Sequence, residues 1–515
     1  MTPSRPTTRR RARADEVNSM SEAHNRSEQH RAEIAAQHTA KVIGVSVAAA
    51  VGGFLFGFDS SVINGAVSSI QDTFGLGFLL NGFAVAIALL GCALGAWFAG
   101  RLADLWGRKR VMLLGSALFI ISAIGTAYTQ TLWDLLLWRV LGGLGIGIAS
   151  VIAPAYISEI APARYRGALA SMQQLAITLG IFAALLSDTL LQNTAGGPEK
   201  DLWWGLEAWR WMFLVGVVPA VVYGLLALSI PESPRYLVGR NRDEEAARIL
   251  QEVTGEPNPL DRVKEIRLTV KRESSARLAD IRGPSFGLHP LVWVGIWLAI
   301  LQQFVGINAI FYYSTTLWES VGFSTDDAFT TSVITAAINV AMTFVAILFV
   351  DRIGRRILLL GGSIGMFIGL VLACVAFTQS VTTTSAEGEP MTTLPDPWGV
   401  IALIGANLFV IAFAATWGPV MWVMLGEMFP NRIRGVALGV CTAFNWLANF
   451  TISMLFPQMS KVLGLGWIYG FFAFCAAASF FYVRAKVHET KGMELEEMDA
   501  VAESELTHIT GKRAG

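Results

Sequence analysis

The sequence has little charge and few cysteines. Only 15% of its 515 residues are Asp, Glu, Lys or Arg, and 39 basic residues balance 39 acidic ones. Without an excess of positive charge, there is no reason to expect nucleic acid as a partner. The four cysteines lie in apolar runs without CxxC spacing, which argues against a disulfide framework and a zinc site. We interpret them as small packing residues: Cys92, Cys374, Cys441 and Cys475.

Clusters of catalytic or metal-binding side chains are missing as well. The six histidines are scattered from the N-terminal tail to the last residues, so they form neither a catalytic triad nor a set of metal ligands. The sequence also has no Walker-type phosphate-binding loop. We therefore expect no enzyme activity, no metal and no cofactor. Because there is no phosphate-binding loop for nucleotide hydrolysis, any energy that the protein uses must come from ion or solute gradients.

Apolar residues, in contrast, are abundant. Hydrophobic residues make up 53% of the chain and the mean hydropathy is +0.51, which is typical of an integral membrane protein. A helix needs about 20 apolar residues to span a bilayer. Twelve apolar runs are close to this length, and we number them spans 1 to 12. They cover residues 42–67, 78–100, 111–128, 131–157, 167–190, 207–230, 290–318, 327–350, 357–378, 398–426, 433–457 and 460–483.

Lys and Arg are concentrated on one side of these spans. They lie in the N-terminal tail and in the loops after spans 2, 4, 6, 8 and 10, whereas the opposite loops have almost none. Positively charged loops stay in the cytoplasm. We call the basic side the inner side and predict a multi-pass protein of the cell membrane with both termini cytoplasmic. On the other, outer side no loop has an Asn-x-Ser/Thr sequon, because the sequon at Asn449 lies within span 11.

A long polar segment between spans 6 and 7 separates six spans from six. We predict an all-α membrane protein with a disordered cytoplasmic tail over residues 1–41, a six-helix bundle over 42–230, cytoplasmic linker helices over 231–289, a second bundle over 290–484 and a cytoplasmic tail over 485–515. The linker is either a solvated connector or a gating latch beneath the bundles.

An internal repeat relates the two groups of six spans. The motif after span 2 recurs after span 8, and the motif after span 4 recurs after span 10. The pairs are Asp104-x-x-Gly107-Arg108 with Asp351-x-x-Gly354-Arg355, and Glu159 to Arg166 with Glu427 to Arg434. The repeat predicts two six-helix bundles in parallel orientation, related by an axis along the membrane normal.

Further motifs identify a family. They are Gly53-Phe-Leu-Phe-Gly57-Phe58-Asp59 in span 1, Pro231-Glu232-Ser233-Pro234-Arg235 after span 6, and Gln302-Gln303-Phe-Val-Gly306-Ile-Asn308 with Tyr312-Tyr313 in span 7. Together with the paired loops, they resemble the sugar porters of the major facilitator superfamily over roughly residues 42–492. One departure is His488 before Glu489 in the C-terminal signature, where the family usually has proline.

Charged residues at the inner helix ends are predicted to form a cytoplasmic gate. Glu and Arg seven residues apart can pair with each other and with the basic loops, which would tie the inner ends together while the site faces outward. Exposed ion pairs contribute only about 0–1 kcal/mol each, so such a network would bias the carrier without locking it. Alternatively these residues are topology signals only. The predicted gate residues are Asp104, Arg108, Glu159, Arg166, Glu232, Arg235, Asp351, Arg355, Glu427 and Arg434.

Two ionisable residues, Asp59 and Arg139, are predicted to lie well inside spans, where charges are costly and usually functional. Each lies about 12 Å below the outer surface, so they can pair. The resemblance implies that Asp59 is the proton-coupling carboxylate. The alternative is a static ion pair that packs spans 1 and 4. Some proton-coupled relatives also have an acidic residue in span 6, where this chain has Gly216.

A sugar has several hydroxyl groups and no charge, so its site needs neutral hydrogen-bonding side chains near the membrane midplane. Buried amides can also serve only to join helices. Trp422 resembles the sugar-stacking tryptophan of the family, and Gly418-Pro419 beside it would interrupt span 10. Trp446, Phe56 and Tyr312 are weaker aromatic candidates. The predicted substrate-binding residues are Gln174, Gln302, Gln303, Asn308, Asn339, Trp422 and Asn445.

Together these features predict a secondary transporter that imports one monosaccharide by proton symport. The substrate is a hexose, a pentose or a polyol such as inositol, and the protein functions as a monomer in the lipid bilayer. The runner-up is a facilitative uniporter with the same fold, in which Asp59 stays paired. A sugar-sensing receptor is disfavoured, because it would need a longer cytoplasmic tail.

Overall fold

The computed structural model describes residues 37–160, 166–273, 281–283, 286–384, 390–429 and 433–491. In this part of the chain twelve helical segments are long and apolar enough to cross a membrane, as the sequence predicts. The helices are 37–62 with Ile63–Ala66 and Val67–Phe74 (span 1), Phe78–Trp106 (2), Arg108–Ala127 (3), Leu132–Ile160 (4), Arg166–Ala195 (5), Ala208–Val215 and Val217–Ser229 (6), Pro290–Phe304, Ile307–Tyr312 and Ser314–Glu319 (7), Thr325–Ile353 (8), Arg355–Thr378 (9), Trp398–Ala415 and Trp417–Met428 (10), Arg434–Leu463 (11) and Leu465–Lys486 (12).

The structure differs from the sequence prediction at several boundaries. Spans 1, 2 and 5 run on to Phe74, Trp106 and Ala195, beyond the predicted ends at residues 67, 100 and 190, and span 12 starts at Leu465 instead of residue 460. Span 11 was expected to end at residue 457, but the helix runs through Pro457 to Leu463 and ends where Gly464 takes a φ of 83°. A positive φ suits glycine and stops a right-handed helix, so the glycine sets the boundary. The first helix already includes residues 37–41, which were assigned to the tail; residues 1–36 and 492–515 lie outside the described residues.

Three spans are interrupted near the middle of the membrane. Span 7 breaks at Gly306, whose φ is 89°, and span 6 divides at Gly216. Span 10 breaks at Thr416, two residues before the predicted Gly418-Pro419 interruption. In each case a helix resumes within one or two residues of the break, and interruptions of this kind in membrane proteins are where polar groups can face an internal cavity.

The two bundles meet along spans 2 and 11 and along spans 5 and 8. The approach of spans 2 and 11 depends on Gly82, because a Cβ atom built there would lie 2.0 Å from the backbone oxygen of Met454. Small residues let transmembrane helices pack this closely. The interface between the halves is therefore fixed by backbone proximity on the outer side.

The linker forms short helices on the inner side: Pro234–Gly239, Asp243–Ile249 with a π-helical turn Leu250–Thr254, and Pro259–Glu273. It packs against the first bundle, where Arg240 donates hydrogen bonds to the backbone of Asp104 and Leu105. Two short hairpins lie in loops of the outer side and pair Asp201–Trp203 with Leu206–Glu207 and Val381–Thr384 with Pro390–Thr393.

Candidate transport site

A buried ion pair joins spans 1 and 4. The Arg139 guanidinium donates a hydrogen bond of 3.1 Å to the Asp59 carboxylate, and the two residues are 3% and 6% exposed. Arg139 also lies over the ring of Phe213 in span 6, at 5.5 Å from the ring centroid. A small cavity beside the pair is lined in part by Cys92 and Tyr312. The geometry brings together the two residues that the sequence placed at equal depth.

Four of the predicted substrate residues form one amide cluster between spans 7 and 11. Gln303 donates to Asn445 at 3.2 Å, and Asn445 donates to Gln302 at 2.9 Å. Asn308, which follows the break at Gly306, donates to Gln303 at 2.7 Å. Gln302 also donates to the Trp417 backbone oxygen at the break in span 10. Such a cluster offers several neutral donors and acceptors at interrupted helices.

The other three predicted substrate residues lie apart from this hydrogen-bonded cluster. Asn339 is buried in span 8, whereas Gln174 in span 5 and Trp422 in span 10 are partly buried. In the described part of the chain, no hydrogen bond connects these three side chains to the amide cluster, so their role stays a prediction. Trp422 packs against the hydrophobic core without the backbone bonds that fix Trp417.

One polar residue of this region was missed as a site candidate. Asn449 donates to the Tyr312 hydroxyl at 3.4 Å and accepts a hydrogen bond from Ser453. Tyr312 in turn lines the cavity beside Asp59. Asn449 thus lies between the amide cluster and the ion pair, one helical turn after Asn445. The four-residue spacing in the sequence was the available signal, because positions i and i+4 share one helix face.

The sequence analysis also missed one ionisable residue inside the membrane, Asp188. Asp188 in span 5 is fully buried, and in the described residues neither of its carboxyl oxygens has a partner of good hydrogen-bond geometry, although the Gly65 N–H approaches the group. It lies in the outer part of the span, seven residues before the helix ends at Ala195, or about 10 Å along the axis. The sequence interpretation, which named Asp59 and Arg139 as the ionisable residues well inside spans, is corrected by this residue.

The predicted gate residues of the first half form a network beneath spans 2, 4 and 6. Arg108 binds Glu159 with two hydrogen bonds of 2.8 and 3.1 Å and also pairs with Asp104. Glu159 further accepts a short hydrogen bond from Ser233 and lies 3.9 Å from Arg235. Arg108 is only 8% exposed, so this pair is buried rather than exposed as the sequence analysis assumed.

The second half repeats this arrangement with the same geometry. Arg355 binds Glu427 with two hydrogen bonds of 2.8 and 3.0 Å, and Thr490 donates to Glu427 as Ser233 does to Glu159. Arg434 donates to the Phe429 backbone oxygen. The side chains of Arg166 and Asp351 lie outside the described residues.

A further carboxylate completes each of these networks by binding a backbone N–H group. Glu232 accepts from the Arg108 backbone N–H at 2.9 Å, and Glu489 accepts from the Arg355 N–H at the same distance. Each carboxylate caps the start of a helix. Glu489 and Thr490 take part in the second network but were not among the predicted gate residues, although Glu232-Ser233 recurs as Glu489-Thr490. The histidine that replaces proline before Glu489 does not prevent this cap.

Contacts between the two halves lie from the midplane outward in the described residues. Thr315 of span 7 donates to the backbone and side chain of Asn64 in span 1 at 2.8 and 3.2 Å. Gln192 of span 5 donates to Asp326 of span 8 at 3.0 Å. Ser68 of span 1 and Thr316 of span 7 share a further hydrogen bond of 3.4 Å. We call these contacts the outer closure. The ion-pair networks described above stay within one half each, so the structure has the form of a carrier closed on the outer side.

Comparisons with known proteins agree with this architecture. Residues 45–502 match the family model described as "Sugar (and other) transporter". The chain is 51% identical over 458 residues to a glucose transport protein of Synechocystis sp., covering 89% of this chain and 97% of the relative. It is 34% identical to the D-xylose-proton symporter of Escherichia coli K12, covering 90% and 96%.

A solved structure shows the same fold. The xylose transporter XylE of E. coli, in a partially occluded inward-open conformation, superposes with a TM-score of 0.75 at 32% identity and covers 88% of this chain and all of that one. The match extends over both bundles, and a related structure of that symporter is described as a major facilitator superfamily protein. This chain therefore belongs to the sugar transporter family and is a multi-pass membrane protein with the major facilitator fold.

Proposed function

We propose that the protein imports a monosaccharide together with a proton by alternating access. The observation that carries this proposal is the buried pair of Asp59 and Arg139, which lies in the membrane interior beside a cavity. A charge pair is expensive to bury, and such groups inside a membrane protein usually take part in ion transfer. Protonation of Asp59 would cancel its attraction for Arg139 and release spans 1 and 4 from each other.

The amide cluster supports a sugar as the cargo. Its members offer donors and acceptors without charge, which suits the hydroxyl groups of a hexose, a pentose or a polyol such as inositol. Relatives named for glucose, arabinose and D-xylose fit the same range. In this proposal the sugar replaces the mutual hydrogen bonds of Gln302, Gln303, Asn308 and Asn445, with Gln174, Asn339 and Trp422 lining the remaining sides.

The proposed transport cycle uses the outer closure and the two inner ion-pair networks. Asp59 takes up a proton from outside, the sugar binds, and the outer closure forms as the halves rock. The two inner networks hold the helices of each half together as rigid bundles, and their charged residues stay off the substrate. We further infer that the basic inner side faces the cytoplasm, with both termini there, and that one chain completes the cycle as a monomer.

The deciding experiment records the external pH of lightly buffered, de-energised cells that express the protein, as candidate sugars are added one by one. We expect alkalinisation with the transported sugar, because each sugar molecule would carry a proton inward. Cells that carry an Asp59→Asn variant are the control and are expected to give no pH change. Sugar entry without alkalinisation would instead favour the uniporter, in which Asp59 stays bound to Arg139.

A further inference from the structure

The buried carboxyl group of Asp188 is not used by the transport mechanism proposed above. It is fully buried against Gly65 in the Ile63–Ala66 turn of span 1; a Cβ atom at Gly65 would lie 3.0 Å from an Asp188 oxygen. Neither carboxyl oxygen has a partner of good hydrogen-bond geometry in the described residues, and the donor that approaches the group is the Gly65 N–H. One weak backbone contact compensates little of the cost of burying an ionised carboxylate, so burial favours the protonated form in this conformation.

Charged side chains on the elements around span 5 do not neutralise Asp188. In the described residues, those that could face it are bound to other groups or exposed. They are Asp59 with Arg139 on spans 1 and 4, Arg210 with Glu207 on span 6 and the preceding hairpin, Asp326 with Gln192 and Asp327 with Ser324 on span 8, and the exposed Asp201 of the hairpin. Among the described residues, apart from the Gly65 N–H, no positively charged group or side-chain donor is left to compensate an ionised carboxylate at this position.

The position of Asp188 links it to the outer closure. Gly65, which it contacts, follows Asn64, the residue that binds Thr315 of the other half. Gln192, one helical turn further along span 5, binds Asp326. Ser68, one helical turn after Gly65, adds a hydrogen bond of 3.4 Å to Thr316. These inter-half contacts therefore all lie within about one turn of Asp188 or of Gly65. An opening of the outer side that separates spans 1 and 5 from spans 7 and 8 would break them and would admit water to this part of span 5.

We propose that Asp188 is a second proton-binding residue, which takes up a proton from the outside when the outer side closes and returns it to the outside on opening. This proton is not carried across the membrane. The proposal needs alternating access but not proton symport, because it holds equally if Asp59 never titrates. Opening of the outer side should therefore become more favourable as the external pH rises.

The native Cys92 provides a reporter, because it lines the cavity beside Asp59 and a charged thiol reagent added outside reaches it only through an open outer side. The experiment uses full-length protein in which the other three cysteines are replaced by alanine. The rate of Cys92 modification is measured between about pH 5 and pH 8 for this parent and for the same protein with Asp188→Asn. The ratio of the two rates cancels the pH dependence of the thiol itself.

We expect the parent-to-variant ratio to rise with pH, by up to about tenfold per pH unit where Asp188 titrates, since one proton is linked to the opening. The asparagine variant keeps the size and polarity of the side chain but cannot ionise. A constant ratio would overturn the proposal. The same pair of measurements in an Asp59→Asn background separates the two carboxyl groups, because failure of proton symport would leave the Asp188-dependent ratio intact.

A second measurement covers the case in which Asp188→Asn does not fold. Infrared spectra of the Asp59→Asn protein, labelled with ¹³C-aspartate, report the carbonyl stretching band of protonated aspartic acid. We expect this band to persist at neutral pH while the outer side is closed. Its absence at neutral pH would mean that Asp188 is ionised in the closed form and would overturn the proposal.

Discussion

At the scale of single residues, the cost of burying charge decides which side chains carry function. Asp59 and Arg139 share a hydrogen bond of 3.1 Å and are almost inaccessible to water. Their pairing offsets part of the desolvation cost, and removing one member leaves the other exposed to the full cost. The conservative replacement of Asp59 by asparagine avoids a large distortion while it removes the titratable group.

We predict that Asp59→Asn abolishes uphill sugar uptake but retains sugar exchange across a de-energised membrane. Exchange needs the rocking of the halves and the amide cluster, not a change in protonation. Radiolabelled sugar uptake with and without a proton gradient measures both activities. Loss of exchange as well would show that Asp59 serves only to hold spans 1 and 4 together.

The amide cluster leads to a second prediction. Gln302→Ala should weaken sugar binding by roughly threefold to tenfold, because one hydrogen bond to a neutral group contributes about 0.5–1.5 kcal/mol. Ligand binding to the purified protein measures the effect. Gln71→Ala is the matched control, since Gln71 accepts from Asn81 at the outer ends of spans 1 and 2, away from the cluster. Equal affinities for both variants would place the sugar site elsewhere.

Residue type and spacing in the sequence were sufficient to find the ion pair and the amides of spans 7 and 11. They were not sufficient for Asp188, which lies two residues before the predicted end of span 5 and was therefore not counted among the ionisable residues well inside spans. Burial there depends on how span 1 packs against span 5. Asn449 was missed for a related reason: its partner, Tyr312, is 137 residues away in the sequence.

At the scale of structural elements, the inner loops depend on glycine. Gly107 and Gly354 have φ of 93° and 107°, and a Cβ atom at these positions would lie 2.3 Å from Glu232 and 2.8 Å from Glu489. A side chain there would strain the backbone and displace the carboxylate that caps the next span. Both halves therefore need glycine at this position of the inner loop, for the same steric reason.

We expect Gly107→Ala to destabilise the protein by about 1–3 kcal/mol through this strain and the lost cap. The thermal midpoint of unfolding of the purified protein measures it. Gly100→Ala is the control in the same span, because a Cβ atom there meets no atom within 4 Å. If both variants had the same midpoint, the cap of Glu232 would not contribute to stability.

Span 7 begins at a cap that depends on pH. The His289 side chain accepts a hydrogen bond from the Leu291 N–H at 3.2 Å, which requires an unprotonated ring nitrogen. Burial lowers the pKa of His289 below its ordinary value of 6.5, since desolvation disfavours the charged form. The stabilisation by the neutral cap is thus complete above pH 6.5 and is lost as the pH falls through the lower pKa of the folded state.

The corresponding experiment compares wild type with His289→Asn, which caps at every pH, and with His289→Ala, which cannot cap. At neutral pH we expect the alanine variant to be less stable by about 1 kcal/mol and the asparagine variant to resemble wild type. On acidification the thermal midpoint of wild type should fall further than that of His289→Asn. Parallel pH profiles for these two proteins would contradict the assignment.

At the scale of the whole molecule, hydrogen bonds between the halves hold the outer side closed. We predict that Thr315→Val shifts the protein toward the outward-open form, because the Asn64 backbone oxygen loses the Thr315 hydroxyl at a cost of about 1–3 kcal/mol, while the Asn64 side-chain oxygen keeps the N–H of residue 315. Modification of Cys92 by an external thiol reagent should become faster. Thr343→Val is the control, since the Thr343 hydroxyl binds Asn339 within span 8. Unchanged labelling would mean that Thr315 does not stabilise the closure.

The amino-acid sequence was sufficient to predict a membrane protein with twelve helices in two bundles. Twelve apolar runs, basic inner loops and two copies of the same motifs predict two parallel bundles, because bilayer thickness and the cost of unpaired backbone groups leave few other arrangements. Most ends of the spans were also predictable to within about five residues, but spans 1, 2 and 11 extend six or seven residues beyond their predicted ends, to Phe74, Trp106 and Leu463.

Which polar groups meet, and on which side the halves are joined by hydrogen bonds, follows from the packing of the spans. Three features join residues from different parts of the chain. They are the cap of span 9 by Glu489, the hydrogen bond of Asn449 with Tyr312 and the burial of Asp188 against Gly65. Side-chain periodicity determines the face of one helix but not its rotation against another. The conformation is likewise a balance between contacts such as Asn64 with Thr315 and those of other states, so it depends on packing between the halves rather than on local sequence.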